Sequence, residues 1–229
     1  MDYKSQTCCF TGHRDIAPYT PDTVFEQTKA IVTLLVSKGF KYFGTGGALG
    51  FDTIAAQAVL SVKETHPEVK LILVLPCENQ TKYWKQQDID VYNDIKLRAD
   101  KVKVLAPHYY NGCMQKRNRH LVDCSSTCIC FLTKHEGGTA YTVDYAKQNG
   151  LDIINVVEEF EGKPSLFLDY PFLFLYISLL RSGFQLVEIW LLHIEPFSFG
   201  FARILHLPYA CRFLRLPICQ SAPSILLPH

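Results

Sequence analysis

Short apolar runs alternate with longer amphipathic segments along residues 7–157. The apolar runs are typical of buried β-strands, because they are too short for helices and are bounded by glycine, proline or polar residues. We predict strands at 7–11, 41–45, 69–75, 102–106, 127–133 and 151–157. The amphipathic segments predict helices at 21–38, 50–65, 81–99, 113–124 and 139–149. Strands that are apolar on both faces and alternate with helices indicate an α/β fold, with a doubly wound, mainly parallel sheet covered on both sides.

The pattern changes near residue 160. Residues 1–160 form one predicted domain, whereas residues 161–229 form an atypical hydrophobic tail rich in leucine, phenylalanine and proline. Three interpretations of this tail are open: a membrane-associated hairpin, an additional buried module, or a segment not selected to fold with the domain, such as translation past a frameshift. Asp169, Arg181 and Glu188 interrupt its apolar runs, and a charge at the centre of a membrane-spanning helix costs about 2.5–3.5 kcal/mol. We favour the third interpretation, expect no membrane contact for the domain, and leave that question open for the tail.

Composition narrows the classes of function. The chain is 48% hydrophobic and 20% charged, which is enough apolar sequence for a sizeable core. Its net charge of +1 argues against a nucleic-acid-binding surface, which usually has a clear basic excess. The odd number of cysteines, 9, and an N-terminus without a signal-peptide pattern predict reduced thiols in a cytoplasmic protein. Cys124 and Cys128 have C-x3-C spacing, but Cys128 falls inside a predicted strand, so we predict no metal site.

The strongest candidate for ligand binding is the segment 44–52, GTGGALGFD, which follows a predicted strand and opens a predicted helix. Glycine allows close backbone approach and positive φ, and the free N–H groups at a helix N-terminus attract phosphate. The segment is neither a Walker A loop nor a strict G-x-G-x-x-G motif, and a tight turn without a ligand is the alternative. Its predicted ligand-binding residues are Gly44, Thr45, Gly46, Gly47, Gly50 and Asp52.

A second candidate follows the first predicted strand directly. It consists of Thr11, Gly12, His13 and Arg14. Ligands of open parallel sheets bind beyond the carboxyl ends of strands at the switch point, and the first strand usually borders that point. Arg14 can bind a phosphate through two parallel hydrogen bonds, and His13 can bind it or transfer a proton. Ordinary surface and turn residues are the alternative.

A third candidate lies between the strand at 127–133 and the helix at 139–149. It consists of Gly137, Gly138 and Thr139, with Thr139 as the predicted N-cap of the helix. A simple cap is the alternative for this segment alone. Three glycine-containing junctions at one edge of a sheet are less easily explained by chance, so we predict that they converge on one phosphate pocket.

Several polar and aromatic residues are weaker candidates. Arg117 and Asn118 lie on the helix at 113–124 together with Asp123 and can contact ribose or phosphate. Because Lys116, Arg119 and His120 continue the charged run, we favour a solvated helical face for this segment. Residues that can stack on a base or cover the core follow two other strands: Gln80, Trp84, Tyr109 and Tyr110.

Together these motifs resemble the SLOG superfamily, the Rossmann-like fold shared by the DNA-processing protein DprA and the LOG phosphoribohydrolases. Within it, the chain is similar to the YspA/YpsA-like proteins, which are mostly uncharacterised bacterial proteins. The resemblance extends over about residues 5–157. It rests on TGHR at 11–14, GTGGALGFD at 44–52, Gln80 and Trp84, YY at 109–110, RNRHLVD at 117–123 and GGTAYTVDYA at 137–146.

The resemblance implies a nucleotide-derived ligand, such as NAD or an ADP-ribose-type molecule, at the carboxyl edge of the sheet. It also implies that a homodimer is possible. LOG hydrolases carry a P-G-G-x-G-T-x-x-E motif that supplies a catalytic glutamate. The corresponding residues 136–143 read EGGTAYTV here, without the proline or the downstream glutamate. The remaining candidates for catalysis are His13, Asp52 and Glu136.

We therefore expect binding or sensing of a nucleotide-derived small molecule. Two alternatives remain open. One is a hydrolase that cleaves a glycosidic or phosphate bond of a nucleotide, and the other is single-stranded DNA binding by analogy with DprA.

Overall fold

The computed structural model describes residues 2–160, so all three interpretations of the tail at 161–229 fall outside the described residues. The strands are β1 (Thr7–Gly12), β2 (Tyr42–Thr45), β3 (Lys70–Leu75), β4 (Lys101–Val104), β5 (Thr127–Phe131) and β6 (Asp152–Asn155). The helices are α1 (Pro21–Ser37), α2 (Phe51–Thr65), α3 (Gln86–Arg98), α4 (Cys113–Asp123), α5 (Gly137–Gln148) and α6 (Val156–Phe160). None of these helices is long and apolar enough to cross a membrane.

The strands form one 6-stranded sheet in the order β4-β3-β2-β1-β5-β6, and every neighbouring pair is parallel. Strands β1 to β4 follow one another toward one edge of the sheet. The connection after β4 then returns the chain to the other side of β1, where β5 and β6 are added. The direction of winding therefore reverses between β1 and β5, where Gly12 is paired with Phe131. This is the position at which open α/β sheets bind their ligands. The predicted Rossmann-like, doubly wound fold is confirmed.

Two apolar layers attach the helices to the two faces of the sheet. Successive residues of β1 point to opposite faces, so Phe10 belongs to one layer and Cys9 to the other. The Phe10 layer contains residues of α1, α2 and α3, such as Ile31, Val59 and Tyr92. The Cys9 layer contains residues of α4 and α5, and these are Leu121, Val122, Val143 and Ala146. The prediction of helices on both sides of the sheet is therefore correct.

The strand β4 differs from the prediction that all strands are apolar on both faces. It lies at the edge of the sheet, and its residues Lys101 and Lys103 are exposed. Lysine is typical of edge strands, where it discourages pairing with another chain.

Several predicted boundaries differ from the structure, and in two cases a local hydrogen bond accounts for the difference. The helix predicted at 81–99 begins only at Gln86, and residues 78–84 form turns held by bonds such as that from Trp84 N to Thr81 O. The strand predicted at 151–157 ends at Asn155, because the Asn155 side chain accepts a hydrogen bond from Val157 N and starts α6. The strand predicted at 127–133 ends at Phe131.

Candidate functional site

A cavity of about 240 Å³ lies at the carboxyl edge of the sheet, at the reversal between β1 and β5. We call it the switch-point cavity. Its walls come from the loop after β1, the start of α2, the first half of α4 and the start of α5. The lining residues are Phe10, Thr11, Gly12, His13, Arg14, Ala48, Leu49, Asp52, Met114, Arg117, Asn118, Gly138 and Thr139. The predicted convergence of three strand-to-helix junctions is therefore present in the structure.

The loop after β1 is packed closely against the start of α2. A Cβ at Gly12 would lie 2.5 Å from the Phe51 side chain, so only glycine fits there. The Phe51 N–H donates to the His13 carbonyl at 3.2 Å, and the His13 N–H donates to the Phe131 carbonyl at 3.2 Å. These two bonds fix the loop across the switch point and hold Arg14 at the rim of the cavity.

Arg14 supplies an available positive charge. Its side chain is exposed and lines the switch-point cavity. Among residues 2–160, no carboxylate forms an ion pair with it. Gly50, at φ +81°, accommodates the Arg14 backbone, which a Cβ at that position would overlap. The glycine thus serves the placement of Arg14.

Several residues of the glycine-rich segment 44–52, the strongest candidate from the sequence, pack against other parts of the protein. Gly44 faces Leu121 of α4, which lies 3.0 Å from the position of a Cβ, and Thr45 is completely buried. Gly47 adopts φ +60°, and its carbonyl accepts a hydrogen bond from Gln80 at 3.2 Å. Predicted ligand-binding residues that do not line the switch-point cavity are Gly44, Thr45, Gly46, Gly47, Gly50 and Gly137.

Arg117 and Asp52 form a buried ion pair beneath the cavity. Their Nη1 and Oδ2 atoms are 3.3 Å apart, and each residue is only 6% exposed. The expectation of a solvated face for Arg117 is wrong, because the crossover through α4 carries this position over the start of α2. Gly46 is what makes room for the pair, since a Cβ there would overlap the Arg117 guanidinium.

The electrostatic state of the pair follows from its burial. Burial raises the pKa of the Asp52 carboxyl above its ordinary value, while Arg117 and hydrogen bonds from the backbone oppose that rise. One of those bonds comes from Ala48 N at 3.3 Å. The Nε atom of Arg117, by contrast, has no hydrogen-bond partner among the described residues. A buried donor without a partner is costly, so an acceptor that reached this N–H would stabilise the site.

The N-terminus of α5 also presents unused donors. Glu136 is the N-cap residue, and its side chain makes no capping bond. The prediction of Thr139 as N-cap is wrong, because the helix begins two residues earlier, at Gly137. Within the part of the chain that the structure describes, the N–H groups of Gly138 and Thr139 donate to no backbone or side-chain acceptor. Unpaired N–H groups and the helix dipole favour an anion at this point.

Asn118 connects α4 to the start of α5. Its Nδ2 donates to Thr142 Oγ1 at 2.7 Å, and the same hydroxyl donates to the Gly138 carbonyl at 2.7 Å. This chain of bonds fixes the first turn of α5 relative to Arg117, one residue before Asn118. Asn118 thereby positions the donors of α5, in addition to lining the cavity itself.

The three candidate catalytic residues are not free to act together. His13 and Asp52 line the switch-point cavity, but Glu136 is exposed and does not. The Asp52 carboxylate already accepts bonds from Arg117 and Ala48. Burial and the nearby Lys134 lower the pKa of His13, and its Nε2 accepts a bond from Lys134 N at 3.3 Å. His13 is therefore neutral at pH 7, with its proton on Nδ1.

Sequence reasoning missed four residues that line the cavity: Phe10, Ala48, Leu49 and Met114. None of the four carries a polar side chain, but Ala48 and Leu49 lie within the segment 44–52, Phe10 directly precedes Thr11, and Met114 lies on the same helix as Arg117. Of the aromatic candidates, Trp84 packs edge-on against Tyr92 away from the cavity. Tyr110 lines a larger, open depression of about 1210 Å³ that meets the switch-point cavity at Gly138. We call it the outer depression.

Metal ligation has little support in this region. Within residues 2–160, no group of three or more His, Cys, Asp or Glu side chains could hold a metal ion. Cys124 is exposed, whereas Cys128 is buried inside β5 as predicted.

Comparison with known proteins gives a consistent family. A model of the YspA SLOG family matches residues 21–155, from the start of α1 to the end of β6. The uncharacterised SPbeta prophage-derived protein YoqJ of Bacillus subtilis is 32% identical over 139 residues, which is 55% of this chain and 81% of YoqJ. The UPF0398 protein BH1768 of Halalkalibacterium halodurans is 30% identical over 127 residues, covering 54% of this chain and 66% of that protein, slightly less than two thirds.

A solved structure supports the fold. DNA processing protein A from Helicobacter pylori superposes with a TM-score of 0.50 at 15% sequence identity, over 80% of this chain and 83% of that one. At this level of identity the similarity concerns the fold alone.

Proposed function

Because the chain belongs to the YspA SLOG family, we propose that residues 2–160 bind the phosphate of a nucleotide-derived small molecule in the switch-point cavity. The ligand class is a nucleotide, NAD or an ADP-ribose-type molecule. The observation that carries the proposal is the meeting of unpaired donors from three separate elements at one cavity. They are the Arg14 guanidinium, the Arg117 Nε and the N–H groups at the start of α5.

The strength of these donors is sufficient for a specific ligand. A hydrogen bond to a charged group contributes about 1.5–3 kcal/mol net. Three such bonds to one phosphate therefore give about 5–9 kcal/mol, which reaches the micromolar range of affinity. The Asp52 carboxylate is neutralised by Arg117, so it does not repel the incoming anion.

The dimensions indicate where the rest of the ligand lies. Pockets for whole small molecules usually measure about 300–1,000 Å³, and the switch-point cavity, at about 240 Å³, is smaller. It fits a phosphate with part of a sugar. The remaining part of a nucleotide extends into the outer depression, since both are lined by Gly138.

Titration calorimetry on the full chain tests this proposal. We expect micromolar binding of at least one of AMP, ADP-ribose and NAD, and no comparable binding of adenosine, which lacks the phosphate. Arg14→Ala should weaken the binding about tenfold, because it removes a charge-assisted bond. Arg98→Ala is the matched control, since Arg98 is exposed and lines no part of the switch-point cavity. Absence of heat for all three phosphates, or equal losses in both variants, would contradict the proposal.

The alternative functions are less well supported by the arrangement of the residues. Hydrolysis needs a free acid or base near the ligand. Asp52 is paired with Arg117, Glu136 does not line the cavity, and Nε2 of His13 already accepts a bond from Lys134 N. Single-stranded DNA binding needs an extended basic surface, which a net charge of +1 does not favour.

A further inference from the structure

A second cavity, of about 430 Å³, lies on the α4 side of the sheet and shares no lining residue with the switch-point cavity. We call it the α4–sheet cavity. Its walls include the first residues of several strands, which places it toward the amino ends of the strands and away from the proposed phosphate site. Its floor is apolar, formed by Ile72, Val74 and Leu121. The aromatic rings of Tyr3 and Tyr42 meet edge-to-face at its rim, with centroids 5.6 Å apart.

A thiol and an imidazole face each other in this cavity. Cys124, the residue that ends α4, is exposed, and its Sγ lies 3.9 Å from Nε2 of His120. Lys103 Nζ lies 3.1 Å from the same nitrogen. An ammonium group can only donate, so His120 Nε2 is unprotonated, and its one lone pair accepts from Lys103 with the Cys124 thiol within reach. Burial, together with Lys103, lowers the pKa of His120 and keeps it neutral at pH 7.

The charges that face His120 and Cys124 are mainly positive. Lys101 and Lys103 line the cavity from β4, and neither forms an ion pair with a carboxylate among residues 2–160. Asp123 on α4 is the carboxylate that acts to raise the pKa of His120, against the larger effects of burial and Lys103. It accepts a hydrogen bond from the Tyr145 hydroxyl at 2.9 Å. An apolar floor with two ammonium groups that have no carboxylate partner among residues 2–160 matches a small molecule that is partly apolar and carries a carboxylate.

We propose that the α4–sheet cavity is a modification site, at which Cys124 reacts with small anionic disulfides to form a mixed disulfide. The Cys124 proton passes to His120 Nε2, and the thiolate sulfur attacks one sulfur of the disulfide. The new S–S bond forms as the old one breaks, and the leaving sulfur departs with the electron pair as a thiolate. Cys124 is thereby oxidised and the reagent is reduced to one equivalent of free thiol. Lys101 and Lys103 attract the anionic groups of the reagent.

The other described cysteines do not share these properties. All of them are buried. Burial raises the pKa of the Cys8 thiol, and it raises that of Cys130 to about 12. These groups remain protonated and inaccessible in the folded protein, so the reaction should be selective for Cys124 within residues 2–160.

The first experiment locates the reaction. The full chain carrying Cys211→Ser and Cys219→Ser, which removes the two cysteines outside the described residues, is mixed with dithiobis-nitrobenzoate, an anionic aromatic disulfide, and the released thiolate is followed by absorbance. We expect a fast phase that is absent in Cys124→Ser, and peptide mass spectrometry should find the adduct on Cys124. A fast phase that survives in Cys124→Ser overturns the proposal.

The second experiment tests the role of the lysines through the charge of the reagent. The rate with dithiobis-nitrobenzoate is divided by the rate with neutral dithiodipyridine, so that changes in the thiol itself cancel. A lysine close to a carboxylate in water contributes about a fivefold factor to this ratio. Lys101→Met should lower the ratio about fivefold, whereas Lys96→Met, an exposed lysine on α3 on the other face of the sheet, should leave it unchanged. A ratio in the wild type equal to that of N-acetylcysteine overturns the proposed anion preference.

The third experiment tests the proton transfer with the neutral reagent alone. Glutamine in place of histidine keeps a polar side chain but cannot take a proton. His120→Gln should slow the reaction at pH 7 by at least about tenfold and shift the rate profile to higher pH, because a positioned base contributes at least this much. An unchanged profile would show that Cys124 reacts by exposure alone and would overturn the mechanism.

Discussion

Replacing Arg117 with methionine should strongly destabilise the protein, although the residue lies in a run of charges on a helix. At an effective dielectric constant of about 20, two unit charges at the observed 3.3 Å attract each other by about 5 kcal/mol. Both residues are 6% exposed, so water does not replace the lost partner. Removing one member of a buried pair typically costs about 3–5 kcal/mol, because the other charge is left buried and unpaired. For a domain of this size, that loss lowers Tm by about 6–20 °C.

Denaturant unfolding of matched variants measures this effect. Arg119→Met is the control, because Arg119 is two positions along the same helix but is exposed and packs on Tyr141 and Tyr145. We expect it to cost less than about 1 kcal/mol. The double variant Arg117→Met, Asp52→Asn should recover part of the loss, since it removes both charges. Equal costs for Arg117→Met and Arg119→Met would refute the assignment of a buried pair.

The pH dependence gives a second measurement on the same variant. Without Arg117, only the backbone hydrogen bonds oppose the effect of burial on Asp52, so its pKa rises further. A carboxyl whose pKa is higher in the folded state binds more protons there than in the unfolded state, so stability falls as pH rises from the unfolded value toward the folded one. Arg117→Met should therefore be less destabilised at pH 5 than at pH 8. A pH-independent difference from the wild type would contradict this account of Asp52.

Three further predictions follow from single contacts. Gly46→Ala should lower the free energy of unfolding by about 3–5 kcal/mol, because the new Cβ displaces the Arg117 guanidinium. Gly138→Ala is the control. Nothing lies within 4 Å of its new Cβ, so it should change the free energy of unfolding by less than about 1 kcal/mol. Burial raises the pKa of Asp100, but hydrogen bonds from two lysines and a backbone N–H outweigh this effect and lower the pKa overall. The contribution of Asp100 to stability should therefore be present above about pH 4 and be lost as the pH falls below that value. Asp100→Asn should flatten this part of the plot of unfolding free energy against pH. Asn118→Leu removes the amide that holds the first turn of α5, so calorimetry should show weaker binding of the proposed nucleotide while circular dichroism shows an unchanged fold.

The sequence by itself determined the architecture, because apolar runs and amphipathic helices are local patterns. The apolar run at 69–75 indicates a buried strand. The glycines that begin at Gly44 and at Gly137 indicate two strand-to-helix junctions, and neither inference needs the residues that contact them in the fold. The switch point also follows from chain order, since the first strand of such a sheet usually borders the reversal. These features placed the candidate site at the carboxyl edge of the sheet, where the switch-point cavity lies.

Only the tertiary structure decided what the individual side chains do there. Arg117 and Asp52 are 65 positions apart in the chain, and no local pattern distinguishes Arg117, which is buried, from Arg119, which is exposed. The crossover through α4 brings the arginine over the start of α2, and only then does Gly46 become a requirement for space. Burial and pairing of a side chain depend on neighbours that are distant in sequence. For that reason the charged run at 116–120, which is typical of a solvated helical face, contains the buried Arg117.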